Sequence, residues 1–179
     1  VLALSSGTGQ DITLGGSLQA TRSGLADNVA AIDIASGRDI LLASTTSLTT
    51  PASGAIRLTA AGAINLKVND GGNNGASNSL TAAGNLDLSA GTAISRTDGN
   101  AVLLSGKAVS LSAGSSIGSL GGAITASTGD LVLSAATGIT ADALVATLGS
   151  IDVDSGAPVT ITSLSAGSAV FVDAAGSIS

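Results

Sequence analysis

A glycine followed within one to three residues by an apolar-x-apolar triplet recurs along the whole chain, at Gly9, Gly37, Gly62, Gly84, Gly106, Gly129, Gly149 and Gly167. The steps between these glycines are 28, 25, 22, 22, 23, 20 and 18 residues. A step near twenty residues with strand-like alternation inside each copy marks a solenoid, because one such coil cannot bury its own apolar face and must be covered by its neighbours. The copy Gly84-Asn85-Leu86-Asp87-Leu88 shows the logic. Gly84-Asn85 are turn residues, Leu86 and Leu88 point one way, and Asp87 points to solvent. An apolar residue returns eight positions later, at Ile40 and Leu48, Leu86 and Ile94, Val109 and Ile117, Leu131 and Ile139, Ile151 and Val159, and Val170 and Ile178. Three short strands and three corners account for such a coil.

The expected fold is therefore all-β: a right-handed parallel β-helix of about 8 coils of roughly 18–28 residues, with no helices. Composition agrees. Gly numbers 25, all twelve acidic residues are Asp, and Gln occurs only at Gln10 and Gln19, so the strong helix formers are nearly absent. The core must be aliphatic, because Phe171 is the only aromatic residue. The spacing predicts one inward column running through Ile12, Ile40, Ile64, Leu86, Val109, Leu131, Ile151 and Val170. Pro51 and Pro158 are expected at corners, where a missing amide donor is tolerated. Two polar stretches depart from the repeat. Residues 21–28 read as an outward loop, and residues 69–79 read as replacing the middle of a coil without lengthening it. No linker divides the chain, so 1–179 reads as a single solenoid segment. Its first and last residues lie in apolar strand-like stretches, and Met is absent. The expectation is an internal fragment of a longer repeat protein, with end-to-end self-association favoured by uncapped ends.

The residue inventory narrows the chemistry. Without His, Cys, Tyr, Trp or Glu, a Ser-His-Asp triad, a Cys nucleophile and the usual zinc or copper sites have no ligands to draw on. A β-helical polysaccharide lyase or hydrolase is disfavoured on the same ground, and the chain reads as a non-enzyme with no cofactor. Ser105 and Lys107 are the remaining candidate for a nucleophile and base, weakened by the turn-like Gly106 between them. Net charge is −6, and residues 108–179 hold no Lys or Arg, so nucleic acid and anionic membrane are poor partners. No apolar run is long enough to insert into a bilayer as a helix.

Three outward carboxylates stand out. Asp152 and Asp154 share a face by period two, and Asp154 and Asp173 occupy equivalent positions one coil apart. A calcium ion could relieve the repulsion of stacked carboxylates, and Asp70 beside Asn69, Asn73 and Asn74 offers a second oxygen-rich spot. Solvated carboxylates that keep a rod soluble are the simpler reading of both. Asp33 and Arg57, each between two inward apolar residues, are expected to pair across one coil, an exposed contact worth about 0–1 kcal/mol. Thr45, Thr46, Thr49 and Thr50 do not recur coil after coil, which argues against an ice-binding array.

Copies such as Gly84-Asn85-Leu86-Asp87-Leu88-Ser89-Ala90-Gly91 and Ala108-Val109-Ser110-Leu111-Ser112-Ala113-Gly114-Ser115 resemble the repeats of filamentous haemagglutinin-like exoproteins, large Gram-negative surface proteins of the two-partner secretion class. The resemblance covers nearly the whole chain, although the repeat is shared with autotransporter passengers. It implies export through the outer membrane and a rod-like shaft at the cell surface, carrying adhesive or toxic tip domains. In that family some shafts bind host surfaces themselves, so the alternative is a binding module that uses its side face or the 69–79 loop against a host or neighbouring cell. The family's secretion domain is not recognisable, and no Arg-Gly-Asp triplet is present.

Overall fold

The computed structural model describes residues 1–43, 45–68 and 77–179. Among them there are twenty strands and no helix. Every strand pair is parallel. An eight-stranded sheet forms one face, with strands at Leu2–Thr8, Ala30–Gly37, Ala55–Ala60, Leu86–Ala90, Val109–Ala113, Leu131–Ala135, Ile151–Ser155 and Val170–Ala174. The other strands make a second and a third face. These two faces join into one twelve-stranded sheet where the strand Gly138–Ala146 runs round the corner between them and the strand Val159–Ala166 follows it. The chain visits first, second and third face in turn seven times, then the first and second once more: it is an all-β parallel β-helix.

Each face has its own inward column. On the first face it runs Leu2, Ile32, Ile56, Leu86, Val109, Leu131, Ile151 and Val170. On the second it runs Ile12, Ile40, Ile64, Ile94, Ile117, Ile139, Val159 and Ile178. On the third it runs Leu18, Leu48, Leu80, Leu104, Ile124, Leu144 and Leu164. In the middle coils these side chains have essentially no exposure, and they merge into one continuous aliphatic core. Branched and aliphatic side chains suit this arrangement, because each stacks on a like neighbour about 4.8 Å away and fills the same space in every layer. Eight coils at that spacing give a rod on the order of 35–40 Å long.

The single column expected from the glycine spacing needs correction. Ile12, Ile40 and Ile64 are inward, but they belong to the second face, whereas Leu86 and its successors belong to the first. The two series are joined by the step from Gly62 to Gly84, where the pattern changes face. True coils are therefore longer at the start. From Leu2 to Ile32 is 30 residues, from Ile32 to Ile56 is 24, from Ile56 to Leu86 is 30 and from Leu86 to Val109 is 23. The next three steps, through Leu131 and Ile151 to Val170, are 22, 20 and 19. The polar run 69–79 falls within the 30-residue step from Ile56 to Leu86. Most of that run, including Asp70, lies outside the described residues. Pro51 and Pro158 sit between strands, as expected.

Corners are tight where glycine stacks on backbone. A Cβ on Gly91 would lie 2.0 Å from the Ala61 carbonyl oxygen, and one on Gly114 would lie 2.2 Å from that of Gly91. Both amides continue the ladder, Gly91 N to Ala60 O at 2.9 Å and Gly114 N to Ala90 O at 3.0 Å. Any side chain here would push two coils apart.

Candidate functional site

The outward face of the eight-stranded sheet carries the residues singled out from the sequence. One outward row runs Ala3, Asp33, Arg57, Asp87, Ser110, Val132, Asp152 and Phe171, and a second ends in Ser134, Asp154 and Asp173. Asp33 and Arg57 are register partners with a closest N–O approach of 4.0 Å and both side chains solvated. Asp87 follows Arg57 in the same row but is half-buried. Loss of water raises its pKa above the ordinary carboxylate value, and the Arg57 charge pulls the other way.

Asp154 and Asp173 are direct neighbours in register, as the spacing predicts. Asp152 pairs instead with Val132 and Phe171. All three carboxylates are exposed. Among the described residues no group of three or more His, Cys, Asp or Glu side chains converges on a point that could hold a metal ion. The face thus presents to water one register pair of carboxylates, Asp154 with Asp173, and Asp152 on the same strand as Asp154. Thr46 and Thr50, two of the four threonines considered for an ice-binding array, are buried.

Ser105 and Lys107 do not form a pair. Ser105 lies on the third face, in the strand Val102–Gly106. The Lys107 ammonium donates to both oxygens of Asp27, at 2.8 and 2.9 Å. This contact spans 80 residues of sequence and reveals what the 21–28 stretch does. It lies as a strap along the corner between the third and first faces. Leu25 N donates to Ser53 Oγ at 3.0 Å, and Ser53 Oγ donates to Arg22 O at 3.1 Å. Asn85 N donates to Asp27 O at 2.7 Å. Gly54 takes φ +87°, and a Cβ there would meet Leu25 at 2.9 Å. A Cβ on Gly84 would sit 2.4 Å from the Asp27 carbonyl oxygen. Starting from the end of coil 1, the strap thus touches the ends of coils 2, 3 and 4.

The corner between the second and third faces holds a polar network that sequence reasoning missed. The Lys67 side chain is fully buried, with its ammonium 3.9 Å from the nearly buried Asp98 carboxylate. Asp98 also accepts from the Asn100 amide at 2.9 Å. In the same coil as Asp98, Arg96 donates to the carbonyls of Gly99 and Asn100, both at 2.7 Å, and to that of Ser119 one coil on at 3.0 Å. Asp142 accepts from Ser119 Oγ and Gly121 N, both at 2.7 Å. These groups satisfy backbone donors and acceptors at turns, the work expected of polar side chains where a corner interrupts the ladder. The one available signal was Lys67 itself, flanked by Leu66 and Val68. At the start of the rod, Arg38 donates from Nε and Nη2 to the Asp11 carboxylate, and that contact holds the Asp11 pKa below the usual range.

No family model, curated protein or solved structure matches this chain.

Proposed function

We propose that this chain is a structural shaft segment of a large secreted bacterial surface adhesin or contact-dependent toxin, a non-catalytic spacer that extends a functional tip from the cell. The observation that carries the reading is the pairing of three apolar columns, unbroken from coil to coil, with outward rows of dispersed hydroxyls and carboxylates. Such a body gains length by adding coils, and each coil contributes the same burial as the last. The resemblance of its repeats to filamentous haemagglutinin-like exoproteins supplies the setting: two-partner secretion, passage across the Gram-negative outer membrane, and a place at the cell surface. Lack of cysteine suits a chain that crosses the periplasm unfolded. The proposed shaft takes neighbouring coils of a longer chain as its partners, with no nucleic acid and no membrane insertion.

Electron microscopy of the native protein on the cell surface tests this reading, with the segment marked by antibody. Thin unbranched rods labelled partway along are expected. A compact particle, or label at the tip, would sink the shaft reading and favour a binding module acting through its side face.

A further inference from the structure

We propose that the third face is a self-association surface, on which two copies of this chain pair side by side and antiparallel. In coils 2–6 this face is made by the strands Ser47–Thr50, Asn78–Ala82, Val102–Gly106, Ala123–Ala126 and the second half of Gly138–Ala146. Its outward side chains form two rows, one through Ser79, Leu103 and Ala123 and one through Thr81, Ser105 and Thr125. Among the described residues every outward side chain of the face is Ser, Thr, Gln, Ala, Val or Leu, and none is charged. The first face differs, with Asp33, Arg57, Asp87, Asp152, Asp154 and Asp173 in its outward rows. The second face is narrow: its middle strands Ile64–Asn65 and Ile94–Ser95 are two residues long and present one outward position each. The third face is therefore the broad surface on which two chains of net charge −6 meet without burying a charge. It lies along the side of the rod, so further coils at either end extend it instead of covering it.

Charge along the rod selects the direction. Residues 1–107 carry seven Asp against six Lys and Arg, while residues 108–179 carry five Asp and no cation. Parallel rods would lay the cation-free half along itself. Antiparallel rods lay it along the half that holds all six cations. Relief selects the register. Leu103 is 48% exposed and is the bulkiest apolar side chain pointing out of this face, and the next position in its row is the small Ala123. A two-fold axis between coils 4 and 5 seats each Leu103 on the other copy's Ala123, the reciprocal contact that an isologous interface requires. Coils 2–7 then overlap. Six strands about 4.8 Å apart and about 14 Å long give roughly 400 Å² of flat surface per copy, the lower end for a specific interface, so the pairing is weak and reversible in a segment of this length. Added coils enlarge it in proportion. The pairing does not rest on the shaft reading. One consequence does: antiparallel contact joins shafts that point in opposite directions, as those of two facing cells do.

Sedimentation equilibrium of this chain up to about 1 mM tests the pairing, with a dimer of micromolar or weaker affinity expected. Leu103→Glu on the third face should weaken it by about tenfold or more. Ser112→Glu, the same charge change at an exposed outward position of the first face, should alter it less than about twofold. Both variants should keep the native circular dichroism and melting curve. Direction is read by cross-linking, since the chain has no cysteine of its own. In the antiparallel pair Thr49 in coil 2 faces Ser165 in coil 7 and lies five coils, roughly 24 Å, from its own copy. A short bismaleimide should therefore link a mixture of Thr49→Cys and Ser165→Cys chains and leave each variant unlinked by itself. A chain that stays monomeric throughout overturns the proposal. So does a dimer that Leu103→Glu leaves intact, which would place the contact on another face, and so does Thr49→Cys linking to its own copy, the mark of parallel rods.

Discussion

The first four coils take 30, 24, 30 and 23 residues, and the next three take 22, 20 and 19, yet both halves are built on the same three columns. The ion pairs gather in the first half. Arg38 with Asp11, Arg57 with Asp33, Lys67 with Asp98 and Lys107 with Asp27 all lie at or before residue 107. Residues 108–179 have no cation and rely on stacked side chains, tight glycine corners and single carboxylates that accept from backbone, such as Asp130 Oδ1 from Ser150 N at 2.8 Å. A parallel solenoid thus needs only its columns. The ion pairs of the first half are additions to them, one on the outer sheet face, Arg57 with Asp33, and one tying the 21–28 strap to the end of coil 4, Lys107 with Asp27.

If the columns carry both halves equally, Leu86→Ala in coil 4 and Leu131→Ala in coil 6 should each cost about 2–5 kcal/mol in denaturant melts, because each leaves a cavity in a fully buried column. A cost confined to one of the two would break the comparison. Asp98→Ala should cost less, about 1–3 kcal/mol, by removing one partner of a buried ammonium. Asp142→Ala, the counterpart corner of the later coils, should fall at the lower end of that range, since it strands only a hydroxyl and an amide. Asp27→Ala should cost about 0–1 kcal/mol globally, because the pair it breaks is half solvated. Its clearer readout is faster amide exchange at residues 22–29 with exchange in coils 5–8 unchanged.

The smallest effects are pH-dependent and have opposite signs. Asp11 has a depressed pKa, so its contribution is present at neutral pH and is lost as pH falls through that lowered value. Asp87 has a raised pKa, so its ionisation costs stability above that value, and the cost disappears on acidification. Asp87→Asn should therefore be slightly more stable than the native chain near neutral pH and indistinguishable from it in acid. A gap that widens in acid would contradict the burial assigned to Asp87. Asp87→Ala should cost far less than Leu86→Ala, since Asp87 lies outside the column.

Much of this architecture was legible in the sequence. The eight-residue return from Leu86 to Ile94 and from Leu131 to Ile139 does mark first and second faces, whereas that from Ile40 to Leu48 runs from the second to the third; Asp33 with Arg57 was found because they occupy the same position in successive coils. The assignment of faces was not legible, because Gly62-Ala63-Ile64 and Gly84-Asn85-Leu86 look alike although one strand lies on the second face and the other on the first. A glycine before an alternating triplet reports a corner without saying which one. The Asp27 to Lys107 contact and the burial of Lys67 had no local signal either. They depend on how far a loop reaches across coils, which the lengths of intervening coils decide. For the acidic face, the sequence correctly placed Asp154 beside Asp173 and Asp152 on the same face as Asp154, between Val132 and Phe171.

The strap has a mechanical consequence. Under tension applied at the two ends of the chain, a plain solenoid unravels one coil at a time from whichever end yields first. A segment that leaves coil 1 and is fastened at Ser53, Asn85 and Lys107 ties four turns into one block. Pulled in an optical trap, coils 5–8 should release in short successive steps of about one turn each, followed by a single long extension as the strapped block gives way. Asp27→Ala should split that long event into shorter ones.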